Sequence, residues 1–261
     1  IIGIVLGVLA RLNRSHLRPV IWQGVIAAGL TSLLLGLALN QLGMQLEGAS
    51  AQIFEGLATL LAAGVLTWMI LWMQKQGKYL KQNLERETTQ ALGTGQKALF
   101  FLAFIAVFRE GLELALFLLA TSFVSGGTQT LFGAVIGLGL AFFLGWLLFT
   151  STNRLNLRAF FQVTNILLIL FAAGLVAYGV HELNEAGWIP VIIEHVWDIN
   201  HILNEKSQLG LILKALFGYN ANPSLTEVIA YVMYFLILLA NYLHFQRREL
   251  AAIAPQADTT A

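Results

Sequence analysis

No cysteine occurs in the 261-residue chain, which excludes disulfides, thiolate metal sites and cysteine nucleophiles. Charge is scarce as well. Only 11% of the residues are charged and 57% are hydrophobic, with a mean hydropathy of +0.73; a soluble domain carries about 25% charged residues. A net charge of +1 gives no basic footprint for nucleic acid. In place of charge there are apolar runs of roughly 20 residues, the length that crosses a bilayer as helix. Backbone in lipid must satisfy its own hydrogen bonds, so long continuous runs mean helices and not barrel strands. The chain opens on Ile1, and "IIGIVLGVLA" is about half a spanning length. Arginines follow this run, whereas a signal peptide carries its charge before. Residues 1–12 are therefore expected to be the second half of a helix that begins upstream.

Further apolar segments lie at roughly 20–40, 51–73, 98–120, 129–150, 159–181 and 225–244. With the opening half-helix they predict seven crossings. The basic residues alternate with them. Arg11, Arg14, Arg18, Lys75, Lys78, Lys81, Arg86, Lys97, Arg154, Arg158, Arg247 and Arg248 all fall on one side. Lys206 and Lys214 fall on the other, and Arg109 lies inside a crossing. By the positive-inside rule the basic loops are cytoplasmic, the N-terminus is outside and the C-terminus inside. Residues 1–246 then form one transmembrane helical domain, and 247–261 a disordered cytoplasmic tail. The outer loop, about 182–224, is too long for a simple turn and is rich in acids. Within it "PVIIEHVWDINHILNE" places Glu194, Asp198, His201 and Glu205 at helical spacing, which predicts a short amphipathic helix on the outer surface.

The stretch "FREGLELALF" (108–117) puts Arg109, Glu110 and Glu113 about halfway along the fourth crossing. Charges at that depth cost several kcal/mol each unless they pair or face a wet cavity. Glu110 and Glu113 are three apart and share a helix face, about 4.5 Å apart along the axis. Two such carboxylates repel unless a cation or a proton lies between them. Arg109 points about 100° away from Glu110, which suits a neighbour better than a simple counter-ion. Gly111 lets another helix, or the ion, approach the backbone. The competing explanation is an Arg–Glu pair that merely holds the bundle together.

Glu55, near the outer start of the third crossing, either faces the same cavity or sits at the interface. Tyr178, His181 and Glu182 close the sixth crossing. His181 and Glu182 either collect cations at the mouth of a pathway or form a solvated helix end. "HELNE" (181–185) has Glu185 where the zinc-protease motif needs its second histidine, and it straddles a membrane edge, so a protease is not expected. A membrane enzyme would need "HELNE" together with His195 or His201. Trp68, Trp72, Trp188 and Trp197 fit interfacial belts.

"FREGLELALF" resembles the R-E-x-x-E motif of the oxidase-dependent iron permeases. "GVIAAGLTSLLLGLAL", "FEGLATLLAAGVLTWMILWM", "VHELNEAG" and "GYNANPSLTEVIAYVMYF" are similar to that family in order and spacing. The resemblance implies an all-α membrane protein, a bundle of seven transmembrane helices with the first one truncated, arranged as a 3+3 inverted repeat plus one. It implies two R-E-x-x-E motifs, in helices one and four; Arg109, Glu110 and Glu113 match the second, and the first is absent from this sequence. It further implies a permease for iron, Fe(III) by preference, supplied by an extracytoplasmic oxidising or delivering partner in a bacterial inner membrane. The expected metal-binding residues are Glu110, Glu113, Glu55, Glu182 and His181, with Arg109 and Gly111 as motif or gating residues. Iron is cargo, and no cofactor or enzymatic activity is implied. Carboxylates alone also suit Mn, Mg and Ca, and a proton-coupled carrier of another solute is the alternative.

Overall fold

A computed structural model describes residues 2–76, 80–150 and 157–253. Among them the helices are α1 (Ile2–Arg11), α2 (Arg18–Met44), α3 (Ala49–Gln76), α4 (Leu80–Thr94), α5 (Gln96–Ser125), α6 (Gly127–Thr150), α7 (Leu157–Glu185), α8 (Gln208–Phe217) and α9 (Leu225–Ile253), with a short 3-10 turn at Ser15–Leu17. The described residues contain no strand. Five helices, α2, α3, α6, α7 and α9, are long and apolar enough to cross a membrane. α5 has 30 residues but carries Arg109, Glu110 and Glu113 in its middle, and α1 has ten. The helix ends agree with the predicted apolar segments to within a few residues on most sides. The largest overrun is at α9, which continues through Ile253, so residues 247–253 of the expected tail are helical. The rest of that tail, Lys78 and Arg154 lie outside the described residues.

α2 packs along α5, and α3 along α7, more extensively than any other pairs. Small residues make both approaches possible. On α2, Gly24, Ala28, Ser32 and Gly36 recur every fourth residue and so form one stripe. A Cβ on Gly24 would lie 2.6 Å from the Phe100 carbonyl oxygen, and one on Gly36 would lie 3.3 Å from Ala115 Cβ. α3 and α7 meet at Gly56 and Gly179, whose contact is reciprocal: Leu183 covers Gly56 and Leu60 covers Gly179. Between α3, α5 and α7 the core is Ala62, Ala63, Ala120 and Leu175. The opposite faces are greasy and bare. α2 exposes Trp22, Ile26, Leu30 and Leu34, and α6 exposes Leu131, Phe132, Val135 and Phe142, the last by 81%. In water such surface would demand a partner. On a membrane helix it is the lipid face.

Two features depart from the sequence expectation. Residues 75–97 were expected as a basic loop, and they contain α4, whose Leu84, Thr88 and Ala91 are buried. α4 closes a core with Val5, Leu9, Leu17, Ile21, Leu99 and Ala103, and Arg11 Nη1 lies 3.4 Å from Glu85 Oε1. The amphipathic helix expected in 190–205 is absent. That stretch is irregular and hangs on the following segment: Val196 donates to Pro223 O, Ile199 to Ala221 O, and Leu225 to Ile193 O, at 2.9–3.0 Å. Asx side chains take the donors a helix would need. Asp198 Oδ1 accepts from the Asn200 N–H (2.9 Å), and Asn204 Oδ1 from the Lys206 N–H (2.7 Å). The first of these bonds holds the Asp198 carboxyl below its usual range. The helix of this region comes later, as α8. Ser207 caps it by accepting from the Gly210 N–H (3.0 Å), and Gly218 ends it in the left-handed conformation at φ 68°.

Gly218 also lies backbone-to-backbone against Gly174 of α7, where a Cβ on either residue would collide with the other. A Gly218→Ala substitution therefore adds a left-handed penalty of about 1 kcal/mol to a steric one. We expect it to lower the stability of the purified protein by about 2 kcal/mol or more, read as a fall in the thermal unfolding midpoint in detergent. An unchanged midpoint would show that α7 and α8 are not locked at this point.

Candidate functional site

Arg109, Glu110, Gly111 and Glu113 lie near the middle of α5, as the sequence predicts. Their environments differ more than helical spacing suggests. Glu113 is buried and Glu110 is exposed, so the two carboxylates do not line one enclosed cage among the described residues. They remain close enough for Glu110 to act on Glu113 electrostatically. The reason for the asymmetry is the neighbours. The Glu113 side faces packed helices, whereas the Glu110 side faces no described helix closely enough to cover it.

Arg109 is the ion-pair partner of Glu113. Its Nε lies 3.3 Å from Glu113 Oε1, an i,i+4 pairing across one helical turn. The sequence reading measured Arg109 against Glu110 and took it for a neighbour with a gating role and not a simple counter-ion; the pair it makes is with Glu113, on the next turn. The rest of the guanidinium lies against α3. Its carbon is 4.9 Å from the Trp68 ring centroid and 4.8 Å from that of Trp72. These two tryptophans, expected in an interfacial belt, also lie against the charge within cation–π range. Their i,i+4 spacing puts both rings on one α3 face, a signal that was present in the sequence but had no partner until α3 met α5. Gly111 admits α2: a Cβ there would collide with the Ser32 hydroxyl and lie 2.7 Å from its Cβ.

A second cluster sits where α3, α7 and α9 end together. Glu55 of α3, Tyr178 and Glu182 of α7 and exposed Glu185 all interact electrostatically. Tyr178 donates to the Phe123 carbonyl of α5 (3.0 Å). Both ring nitrogens of His181 face carboxylates: Nδ1 lies 3.1 Å from Glu227 Oε1 and Nε2 lies 3.3 Å from Glu185 Oε1. Gln52 donates to Glu185 Oε2 (2.8 Å). Glu227 is buried, and sequence reasoning missed it. It forms a capping box at the start of α9: the Ser224 N–H donates to Glu227 Oε1 (3.1 Å), and the Glu227 N–H donates to Ser224 Oγ (3.2 Å). The pattern "SLTE" (224–227) was the available signal. Asn220 donates to the other Glu227 oxygen (2.7 Å). Glu205, expected on a solvated helix face, is instead structural, accepting from the Ala221 N–H (2.7 Å) and pairing with Lys214 (3.5 Å).

The structure thus divides the predicted ligands into two groups, Arg109–Glu110–Glu113 inside the bundle and Glu55–His181–Glu182 at one end of it. Glu113 precedes the end of α5 at Ser125 by about 18 Å of helix. Among the described residues no three His, Asp or Glu side chains converge as a preformed metal cage. His195 and His201 are exposed on the irregular loop and, among the described residues, do not join "HELNE" in such a cage.

The clasp on Arg109 has a measurable energy. In a double-mutant cycle with Arg109→Met, we expect Trp72→Leu to lose about 0.5–2 kcal/mol of coupling, seen as a fall in unfolding midpoint that shrinks when Arg109 is absent. Equal falls in both backgrounds would mean that Trp72 is only packing.

Comparison with known proteins gives a consistent result. The model of the Iron permease FTR1 family matches residues 1–250. A ferrous iron permease EfeU of Shigella sonnei is 34% identical over 264 aligned positions, covering 100% of this chain and 92% of that protein. A protein of Escherichia coli K12 described as a putative inactive ferrous iron permease EfeU is 34% identical with the same coverage. The ferrous iron permease EfeU of Yersinia pestis is 32% identical, over 90% of this chain and 84% of its own. No solved structure matches the chain. With the motif on α5, the helical architecture and a match along nearly its whole length, the chain belongs to the iron permease FTR1 family.

Proposed function

We propose that the chain carries iron across the membrane by way of the α5 carboxylates, with Glu113 as the central ligand, Glu110 as the second, and Arg109 and Gly111 as the parts that make the site reversible. The observation that carries this reading is the buried Glu113, paired at 3.3 Å with a guanidinium that has another seat on Trp68 and Trp72. With no ion bound, Arg109 neutralises Glu113. An arriving cation competes for the carboxylate, and the arginine charge is still held by the two rings, which attract it without occupying an oxygen. When the ion leaves, the guanidinium is already beside the carboxylate. A strongly bound ion moves on only if binding is divided between sites or relieved by such an exchange.

Glu55, His181 and Glu182, with Glu185 and Glu227 around them, serve in this reading as the acidic mouth. The basic helix ends lie opposite and are cytoplasmic by the positive-inside rule, so the mouth faces outward and an iron-oxidising or iron-delivering protein would approach it there. The relatives are bacterial proteins, and the bacterial inner membrane is the matching location. Carboxylate oxygens are hard donors and favour Fe(III), which we take as the ion at Glu113. The relatives are named for ferrous iron, so the oxidation state has its own test. Uptake supplied with Fe(II) under ascorbate, with no oxidant present, should be slower than uptake of chelated Fe(III). Faster Fe(II) uptake would sink the ferric assignment.

Glu113→Gln and Glu110→Gln should each reduce iron uptake about tenfold or more, the loss expected when one charged contact to the ion is removed. Iron should raise the unfolding midpoint of the native protein and fail to do so for Glu113→Gln. Arg109→Lys should also lose uptake, since an ammonium cannot present a flat face to two rings and a fork to a carboxylate. Native uptake and native iron stabilisation in both Gln variants would remove the α5 site and favour a carrier of another solute.

A further inference from the structure

α8 is built the wrong way round for water. Leu209, Ile212 and Leu216 fall within about 60° of one another around the helix axis, and all three are exposed, by 66%, 52% and 46%. Lys214 is the only charged residue of α8 and lies on the opposite side. Its Nζ is 3.5 Å from Glu205 Oε2 and 5.8 Å from the centroid of the Tyr178 ring. A surface helix in water turns its charge out and its apolar stripe in. The contacts of α8 also place it deep. It runs down α7 from the Glu185 end: Lys214 meets Tyr178, and Gly218, one turn further on, meets Gly174, one turn back along α7. Gly174 stands near the middle of the apolar span Gln162–Glu185, about 16 Å of helix from Glu185. The backbone at that depth finds its partners within the protein. The Gly218 N–H donates to Lys214 O (3.0 Å), the Tyr219 N–H to Leu213 O (3.3 Å) and the Ala221 N–H to Glu205 Oε1 (2.7 Å). Ala221, Pro223 and Ser224 of the returning chain are buried.

We infer that α8 is a re-entrant half-helix, sunk into the leaflet at the Glu185 end of α7, with lipid hydrocarbon covering Leu209, Ile212 and Leu216. Ten residues of helix measure about 15 Å, half the thickness of the hydrocarbon core. Non-helical backbone is tolerated at membrane depth where protein buries it, and the return through residues 219–224 meets that condition. The bare stripe of α8 then continues the lipid face of the bundle, as apolar surface at the depth of Gly174 requires. On the inward side, Lys214 is carried below the end of α7, where an ammonium needs a partner, and Glu205 is that partner. The segment 182–224 therefore does not lie wholly outside the membrane: it dips in along α7 and returns to α9.

The chain has no cysteine, so single cysteines can be spin-labelled without background. Leu209→Cys, Ile212→Cys, Leu216→Cys and, on the exposed irregular loop, His201→Cys are made one at a time in the full chain. Each is labelled with a nitroxide and reconstituted at low protein-to-lipid ratio in phosphatidylcholine–phosphatidylglycerol vesicles. Collisions are measured with oxygen, which concentrates in hydrocarbon, and with a water-soluble nickel chelate. The ratio of oxygen to nickel collisions should rise from Leu209 through Ile212 to Leu216, with the last label about 10 Å deeper than the first; the His201 label should favour nickel. Nickel collisions at Ile212 and Leu216 as frequent as at His201 would put α8 in water and overturn the inference. Labels on α8 shielded from both reagents, or broadened by a label on a neighbouring copy, would show a protein surface on this face and overturn it as well. Leu216→Asp gives a reading independent of the label. In lipid the added charge should lower the unfolding midpoint in the same vesicles; an unchanged midpoint would mean that Leu216 already faces water.

Discussion

A carboxylate buried in the middle of an apolar helix must be paired, and Glu113 is paired with Arg109 of the same helix. The guanidinium has one edge toward Glu113 and its carbon near two indole rings. That arrangement sets Trp68 and Trp72, one turn apart, on the side of α3 that meets α5. It also leaves the other flank of α5 to be closed by α2, which can approach only because Gly111 has no side chain. A buried ion pair is weak evidence for stability, since its desolvation can exceed its attraction. In the proposed function the pair is kept because a hydrophobic replacement could not exchange one cation for another.

The two acidic clusters differ in a way that suits successive roles. Around Glu113 the charges are few, and only Glu113 itself is buried. At the end of α7 they are numerous and cross-linked: His181 lies between Glu227 and Glu185, Gln52 ties Glu185 to α3, and the capping box ties Glu227 to the start of α9. The irregular segment before α9 is itself pinned through Glu205, Lys214 and the Gly174–Gly218 contact. Four parts of the chain are thereby held in register at the end of the bundle that the proposed function makes the mouth. In the proposed function such a network has two roles, since the carboxylates assigned there to attract a cation also fix the helix ends.

Much of the architecture could be read directly from the sequence, for a physical reason. Lipid offers no hydrogen bonds, so apolar runs have one stable conformation, and α2, α3, α6 and α7 lie where those runs do. Polar stretches lack that constraint. Residues 80–94 look like a basic loop until the face of Leu84, Thr88 and Ala91 finds α1 and α5. The amphipathic pattern at 190–205 looks helical until Asp198 and Asn204 take the backbone donors. Glu227 was hidden because a capping box at a loop–helix boundary resembles ordinary surface polarity.

The sequence by itself determined the helical membrane class, the place of Arg109, Glu110 and Glu113 in mid-helix, and the family motif they form. These follow from local rules of hydropathy, helical period and charge. Tertiary structure alone decided which carboxylate is buried, that Trp68 and Trp72 lie against Arg109, and that Ser32 meets Gly111. Each of those is a contact between residues distant in the chain or a consequence of one. Such contacts depend on the rotation and depth at which two helices meet, which no single segment specifies.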